Sequence, residues 1–163
     1  MEITFIKIIN YRNLNGLEVD INKDINFIVG ENNIGKSNFQ NCLLKVLSCK
    51  SFQKEDFTDE TQKISVEMSF HLNSDEIGIF DDLVDPMNRE MINIVSLQES
   101  PDEYIKYYHK ETGETIPNSL IKRVNVISYD SLRNPKNEIN FSKTNGAGAF
   151  LNFVVKKYID CYD

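Results

Sequence analysis

The residues with the plainest chemistry lie early in the chain. Gly30-Glu31-Asn32-Asn33-Ile34-Gly35-Lys36-Ser37 matches G-x-x-x-x-G-K-[ST] at every fixed position. Each fixed residue serves phosphate binding. Gly30 and Gly35 allow turn angles that a Cβ blocks and let phosphates come close. The N–H groups from Asn33 to Ser37 can then point at a β-phosphate, helped by the positive end of the helix that starts there. Lys36 reaches the β- and γ-oxygens as a point charge. The Ser37 hydroxyl completes a Mg²⁺ shell made otherwise of phosphate oxygens and water. The pattern alone also turns up in unrelated proteins, so its weight rests on what flanks it.

The flanking elements have the required periods. Ile3–Ile9 is rich in β-branched and aromatic residues and predicts a strand; a turn at Asn13–Gly16 leads to a second, Leu17–Ile21. Ile25–Val29 is short and apolar, as a buried central strand would be. After Gly35 the spacing changes: Phe39, Cys42, Leu43, Val46 and Leu47 share one helical face. Residues 50–62 read as a loop. "KISVEMSFHL" is a strand with Ile64, Val66, Met68, Phe70 and Leu72 on one side and Ser65, Glu67, Ser69 and His71 on the other. Ser74 caps a helix running to Val84, ended by Pro86. Met91–Leu97 is a strand, Tyr104–His109 starts a hairpin, and Val124–Ser128 is a further apolar strand. Asn134–Pro135 and "TNGAGA" mark loops, and a helix runs from Ala149 nearly to the last residue.

Composition narrows the function. The chain has 163 residues, 18 Lys and Arg against 25 Asp and Glu, and a net charge of −7. That balance argues against a free-standing nucleic-acid binder, because backbone affinity comes from basic side chains that release counterions. Only Lys122–Arg123 and Lys156–Lys157 suggest a local basic patch. Cys42, Cys49 and Cys161 are an odd number without CxxC spacing, which predicts reduced thiols in a cytosolic protein. Neither a signal peptide nor a membrane-spanning run is visible, so a cytoplasmic location is expected.

The stretch "IKIINYRNLNGLEVDINKDINFIVGENNIGKSN" resembles the N-terminus of ABC-type ATPases of the RecF, SMC and OLD (overcoming lysogenization defect) group. It is most similar to the OLD-type ATP-dependent endonucleases, which commonly carry "NFRNL", "INFIVGENNSGKSN" and a following amphipathic helix. The resemblance is specific over residues 3–47 and extends loosely to "VNVISYDSLRN". It implies an α/β P-loop fold of the ABC-ATPase type: an N-terminal lobe with a mixed sheet and an antiparallel β-layer. It implies ATP and Mg²⁺ held by Gly30, Asn32, Asn33, Gly35, Lys36, Ser37 and Asn38, with Ser37 on the metal. It places Arg12 and Asn13 near the nucleotide, where the family's Arg contacts phosphate or base; a solvated turn residue is the other reading of Arg12. Asp130–Arg133 sits where the family has the loop that senses the γ-phosphate, but holds no Gln. Gln98, at a strand end, is a rival, and a plain surface glutamine is the third reading.

The departures from the family are informative. A hydrolytic site needs a carboxylate pair at the end of an apolar strand, one for Mg²⁺ and one to polarise water. Asp81 and Asp82 come nearest, but they fall too early and on a helical pattern. No "SGG"-like signature is present. His71 and His109 read as solvated strand residues, and no catalytic residue is assigned. The Toprim nuclease domain of OLD proteins would lie beyond Asp163. The expectation is therefore an incomplete lobe, whether fragment, truncated gene product or part of a split protein. It would form a homodimer or associate with a missing C-terminal half, with DNA as a partner by resemblance only and no membrane. Two alternatives stay open: a non-enzymatic module that pairs with a full-length ATPase, and a small nucleotide kinase. The kinase reading is weakened by only four scattered arginines, Arg12, Arg89, Arg123 and Arg133.

Overall fold

Period-two alternation builds most of the molecule. A computed structural model of the chain describes residues 1–78, 80, 88–122, 124, 126 and 146–159. Its sheet has six strands: β1 (Glu2–Ile9), β2 (Leu17–Asp20), β3 (Ile64–His71), β4 (Met91–Gln98), β5 (Lys106–His109) and β6 (Thr115–Ile116). They lie in the order β2-β1-β3-β4-β5-β6, antiparallel at every pairing. In β3 the alternation is complete: Ile64, Val66, Met68 and Phe70 are buried and the residues between them are half-buried. A register shift between Ile3 and Phe5 adds one residue to β1 opposite β3. That bulge lets Ile3 and Ile6, three apart, both pack on the core side.

Helix α1 (Lys36–Leu47) lays Phe39, Cys42, Val46 and Leu47 into the core, with Leu43 half-buried beside them. This is the face its spacing predicts. The Tyr107 hydroxyl on β5 donates to the Val46 carbonyl at 2.5 Å, which ties the far end of α1 to the sheet. Burial pushes the Cys42 thiol up to about 12, so it stays protonated and inert. Cys42 and Cys49 are both free thiols; Cys161 lies outside the described residues.

Several expectations are corrected. Ile25–Val29 is not a buried strand. It has no regular structure, and Phe27 and Val29 are 84% and 86% exposed. A central strand needs a neighbour on each side, and none of the described residues supplies one. The antiparallel layer of the expected fold is present, whereas the parallel pairing that would make its sheet mixed is not found among the described residues. The loop at 50–62 contains a single 3-10 turn, Lys54–Asp56. Helix α2 spans Ser74–Ile77 and is capped by Asn73, whose N–H is met by the Glu76 carboxylate, not by Ser74. Its expected continuation to Val84, with Pro86, falls on residues outside those described. So do Asp81, Asp82, Asn134–Pro135, Asp130–Arg133 and most of Val124–Ser128. A short α3 covers Asn118–Ile121.

Chain contacts divide the protein at Val124 into Met1–Val124 and Asn125–Asp163. The second unit's helix, α4 (Gly146–Ile159), starts three residues before the predicted Ala149, so the last four residues of "TNGAGA" are helical. Phe150, Leu151, Val154, Val155 and Ile159 on it are exposed. No described helix is long and apolar enough to cross a membrane.

Gln98 is a further correction. It is no surface glutamine: it is 1% exposed and clamps a loop. Its Oε1 accepts from the Phe52 N–H at 2.7 Å, and its Nε2 donates to the carbonyls of Phe52 and Ser100, both at 2.9 Å. Phe52, fully buried, stacks at a tilt on Tyr11 with 5.4 Å between ring centroids. His109 is likewise buried at 1%, its Nδ1 3.0 Å from the Thr112 hydroxyl, whereas His71 is solvated as expected. Gln98→Leu would strand both polar groups of Phe52 in the core. It should lower stability by about 1–3 kcal/mol, measured by chemical denaturation.

Candidate nucleotide-binding site

The phosphate-loop pattern folds as its residue types require. Gly35 sits at φ 113°, a left-handed conformation, immediately before α1. A Cβ there would come within 2.8 Å of Leu14 Cδ2 and 3.0 Å of Asn13 Nδ2, and the backbone angle itself strains any L side chain, so glycine is strongly favoured. Asn33 adopts φ 67°, which Asn tolerates better than most residues. Gly30 approaches Ile34 closely: an added Cβ would lie 3.0 Å from its Cγ2. No side chain caps α1 and its first turn holds no acid. Its leading N–H groups are therefore open to an anion.

Lys36 folds back over the loop. Its Nζ donates to the carbonyls of Gly30 and Glu31, each at 2.5 Å. The ammonium thus stands inside the curve of the loop, held by two neutral acceptors. Ser37, Asn32 and Asn33 are exposed. Beside the loop runs an apolar groove of about 670 Å³, lined by Leu17, Val19, Ile21, Phe27 and Phe39 and also by Gly35 and Lys36.

Arg12, Asn13 and Asn38 come together behind the loop. Arg12 NH1 donates to Asn38 Oδ1 at 2.8 Å; Asn38 Nδ2 donates to Asn13 Oδ1 at 2.7 Å; Asn13 Nδ2 donates to the Ile34 carbonyl at 3.1 Å. Both ends fix the direction. A guanidinium only donates and a carbonyl only accepts, so neither amide can be turned over without breaking the chain. Arg12 is no solvated turn residue. Its Nε and NH2 bond Asp56 Oδ1 at 2.9 and 2.8 Å, and its ring neighbour is Tyr11, 5.5 Å from the guanidinium carbon.

A profile of the AAA ATPase domain matches residues 1–157. The chain belongs to that family. Among solved structures it is similar to an SMC ATPase described in terms of ATP-driven dimerization and DNA-stimulated activation. The TM-score is 0.55 at 19% identity, over 76% of this chain and 77% of that one. At this identity the likeness is one of fold, and it agrees with an ABC-type N-terminal lobe. No curated protein sequence matches the chain.

Within this AAA ATPase domain, sequence reasoning missed two residues behind the loop, Asp56 and Lys45. Asp56 lies in a polar stretch read as featureless loop, and no spacing rule marks it. Its side chain has 0% exposure. Besides Arg12, its carboxylate accepts from the Lys45 ammonium and, at 2.8 Å, from the Gln53 N–H. Burial pushes its pKa up, but the Lys45 hydrogen bond, the Gln53 N–H and the charges of Lys45 and Arg12 outweigh burial and bring it below the ordinary 3.8.

A carboxylate with a depressed folded pKa stabilises the fold fully above its unfolded value. That contribution is lost as the pH falls through the lower, folded value. Asp56→Asn should therefore be less stable than wild type at neutral pH, with the gap narrowing as the pH drops below about 4. Denaturation curves at a series of pH values measure it.

Proposed function

We propose that this chain binds ATP with Mg²⁺ through its phosphate loop. It would be the N-terminal nucleotide-binding part of a DNA-acting ATPase of the RecF, SMC and OLD kind. The observation that carries the reading is the placement of Lys36: its ammonium lies within the loop curve, beside an uncapped helix start and a glycine in the left-handed conformation. Membership of the AAA ATPase domain family supports ATP as the nucleotide.

Binding proceeds by exchange of partners. The carbonyls of Gly30 and Glu31 are weak acceptors for a full charge, and a phosphate oxygen is a stronger one. The leading amides of α1 supply further donors. Arg12 has five N–H donors, of which Asp56 and Asn38 occupy three, leaving two for an anion at the loop. The Ser37 hydroxyl fits Mg²⁺ as one neutral oxygen ligand among phosphate oxygens and water. The donor set agrees with a metal that arrives with its nucleotide: among the described residues no three His, Cys, Asp or Glu cluster to hold one alone. Bound there, Mg²⁺ would neutralise phosphate charge.

Service in DNA repair or phage defence follows from the OLD resemblance. So does pairing, either as a homodimer or with a C-terminal half that carries the catalytic carboxylates. The SMC ATPase of similar fold, with its ATP-driven dimerization, lends support. The exposed Ile25–Val29 segment favours a second reading, that the lobe acts as a nucleotide-binding module completed by a partner ATPase.

Titration of the whole chain with ATP, with and without Mg²⁺, tests the reading. Binding should need Mg²⁺ and weaken roughly tenfold or more in Lys36→Ala. Turnover by the chain alone should be negligible, because positioning without a water-polarising group lacks most of the transition-state stabilisation. Equal binding by wild type and Lys36→Ala would refute it.

A further inference from the structure

We propose that Asp56 is the positioning residue of the phosphate loop, holding Arg12 and, through Asn38 and Asn13, the loop backbone in binding geometry. This rests on the nucleotide reading above and names what sets the affinity of that site.

The first support is the way Asp56 grips Arg12. Its side chain takes the Nε and NH2 of the guanidinium on one oxygen, and its own carbonyl accepts the Arg12 backbone N–H at 2.8 Å. Thr58 adds a hydrogen bond from its hydroxyl to the Arg12 carbonyl. Arg12 needs such a hold, because its backbone stands at φ 44°, which an L-residue adopts only when its surroundings impose it. Backbone and guanidinium are thus fixed by the same few residues.

The second support is directional. From Asp56 the bonds run through Arg12, Asn38 and Asn13 to the Ile34 carbonyl, one residue before Gly35. Every link has only one workable polarity. An amide at position 56 has one accepting oxygen for the two sets of donors, so either the guanidinium or the Lys45 ammonium and Gln53 N–H face its NH2; the charge that orients Arg12 is gone, and Asn38 loses a fixed donor at its Oδ1. The third support is charge. Asp56 meets two cations, Arg12 and Lys45, so the trio carries a net positive charge behind a loop built to take phosphate. Lys45 satisfies the second carboxylate oxygen and leaves Arg12 free to share itself between Asp56 and Asn38.

Isothermal titration with ATP and Mg²⁺ on the whole chain tests this. The variants are Asp56→Asn, Arg12→Gln, the two combined, and Lys36→Ala. Each of the first two should weaken binding about tenfold, the scale of one charge-assisted hydrogen bond. The combined variant should bind no worse than Arg12→Gln alone, because Asp56 acts through Arg12. A residue that merely held the fold would give additive losses, and additivity overturns the proposal. So does wild-type affinity in Asp56→Asn together with loss in Lys36→Ala. If wild type fails to bind, or Lys36→Ala binds as well as wild type, the nucleotide reading itself falls, and the role of Asp56 with it. Near-ultraviolet circular dichroism reports folding. Should Asp56→Asn unfold, Asp56→Asn with Lys45→Met removes the half-buried cation left without its partner. That pair should still weaken ATP about tenfold relative to Lys45→Met, and equal affinity of the two overturns the proposal.

Discussion

An ionised carboxylate without water around it is stable only if donors replace its hydration shell, and Asp56 is in that position. Two cations and a backbone N–H take the place of solvent. Each donor comes from a different part of the chain: Arg12 from the turn after β1, Lys45 from the last turn of α1, Gln53 from the loop leading into β3. One side chain thereby gathers three segments, and the phosphate loop hangs from two of them. A further clamp works beside it, where Asn10 binds the backbone of Asp59 and Gln62.

The two sides of the phosphate loop are held very differently. On the helix side, Phe39, Cys42 and Val46 sink into the core, and Tyr107 fastens the far end. On the other side, Ile25–Val29 is held mainly by a ring of two hydrogen bonds between Asn22 and Asn26. The start of α1 is therefore anchored by packing, while the entry to the loop is not. The relay from Arg12 to the Ile34 carbonyl adds a polar hold to that packing, at the junction of loop and helix.

Local periods made much of this fold legible. The α1 face and the alternation of β3 are fully written in their spacing, and the strands at 2–9, 17–20 and 91–98 fall within a residue or so of their expected bounds. The phosphate loop and its flanking turn are local as well. Burial of Ile25–Val29 was a non-local matter: four apolar residues in five say that a strand would be covered, not what covers it. Gln98 and His109 were misread as surface residues although a signal existed. Ile92 and Ile94 point inward, so Ser96 and Gln98 must follow, and parity from Ile105 and Tyr107 puts His109 inside. Asp56 left no such trace, because its burial depends on cations 44 and 11 residues away in sequence.

The exposed run from Ile25 to Val29 also bears on how the protein behaves at high concentration. It is uncharged, rich in strand-forming side chains and unpaired along its backbone, the kind of segment that templates pairing between copies. What opposes such pairing is mutual repulsion, supplied by a net charge of −7. The acidic composition that disfavours nucleic acid thus also acts as a colloidal guard. That guard vanishes as the pH approaches the isoelectric point near 4.9 and is screened by salt.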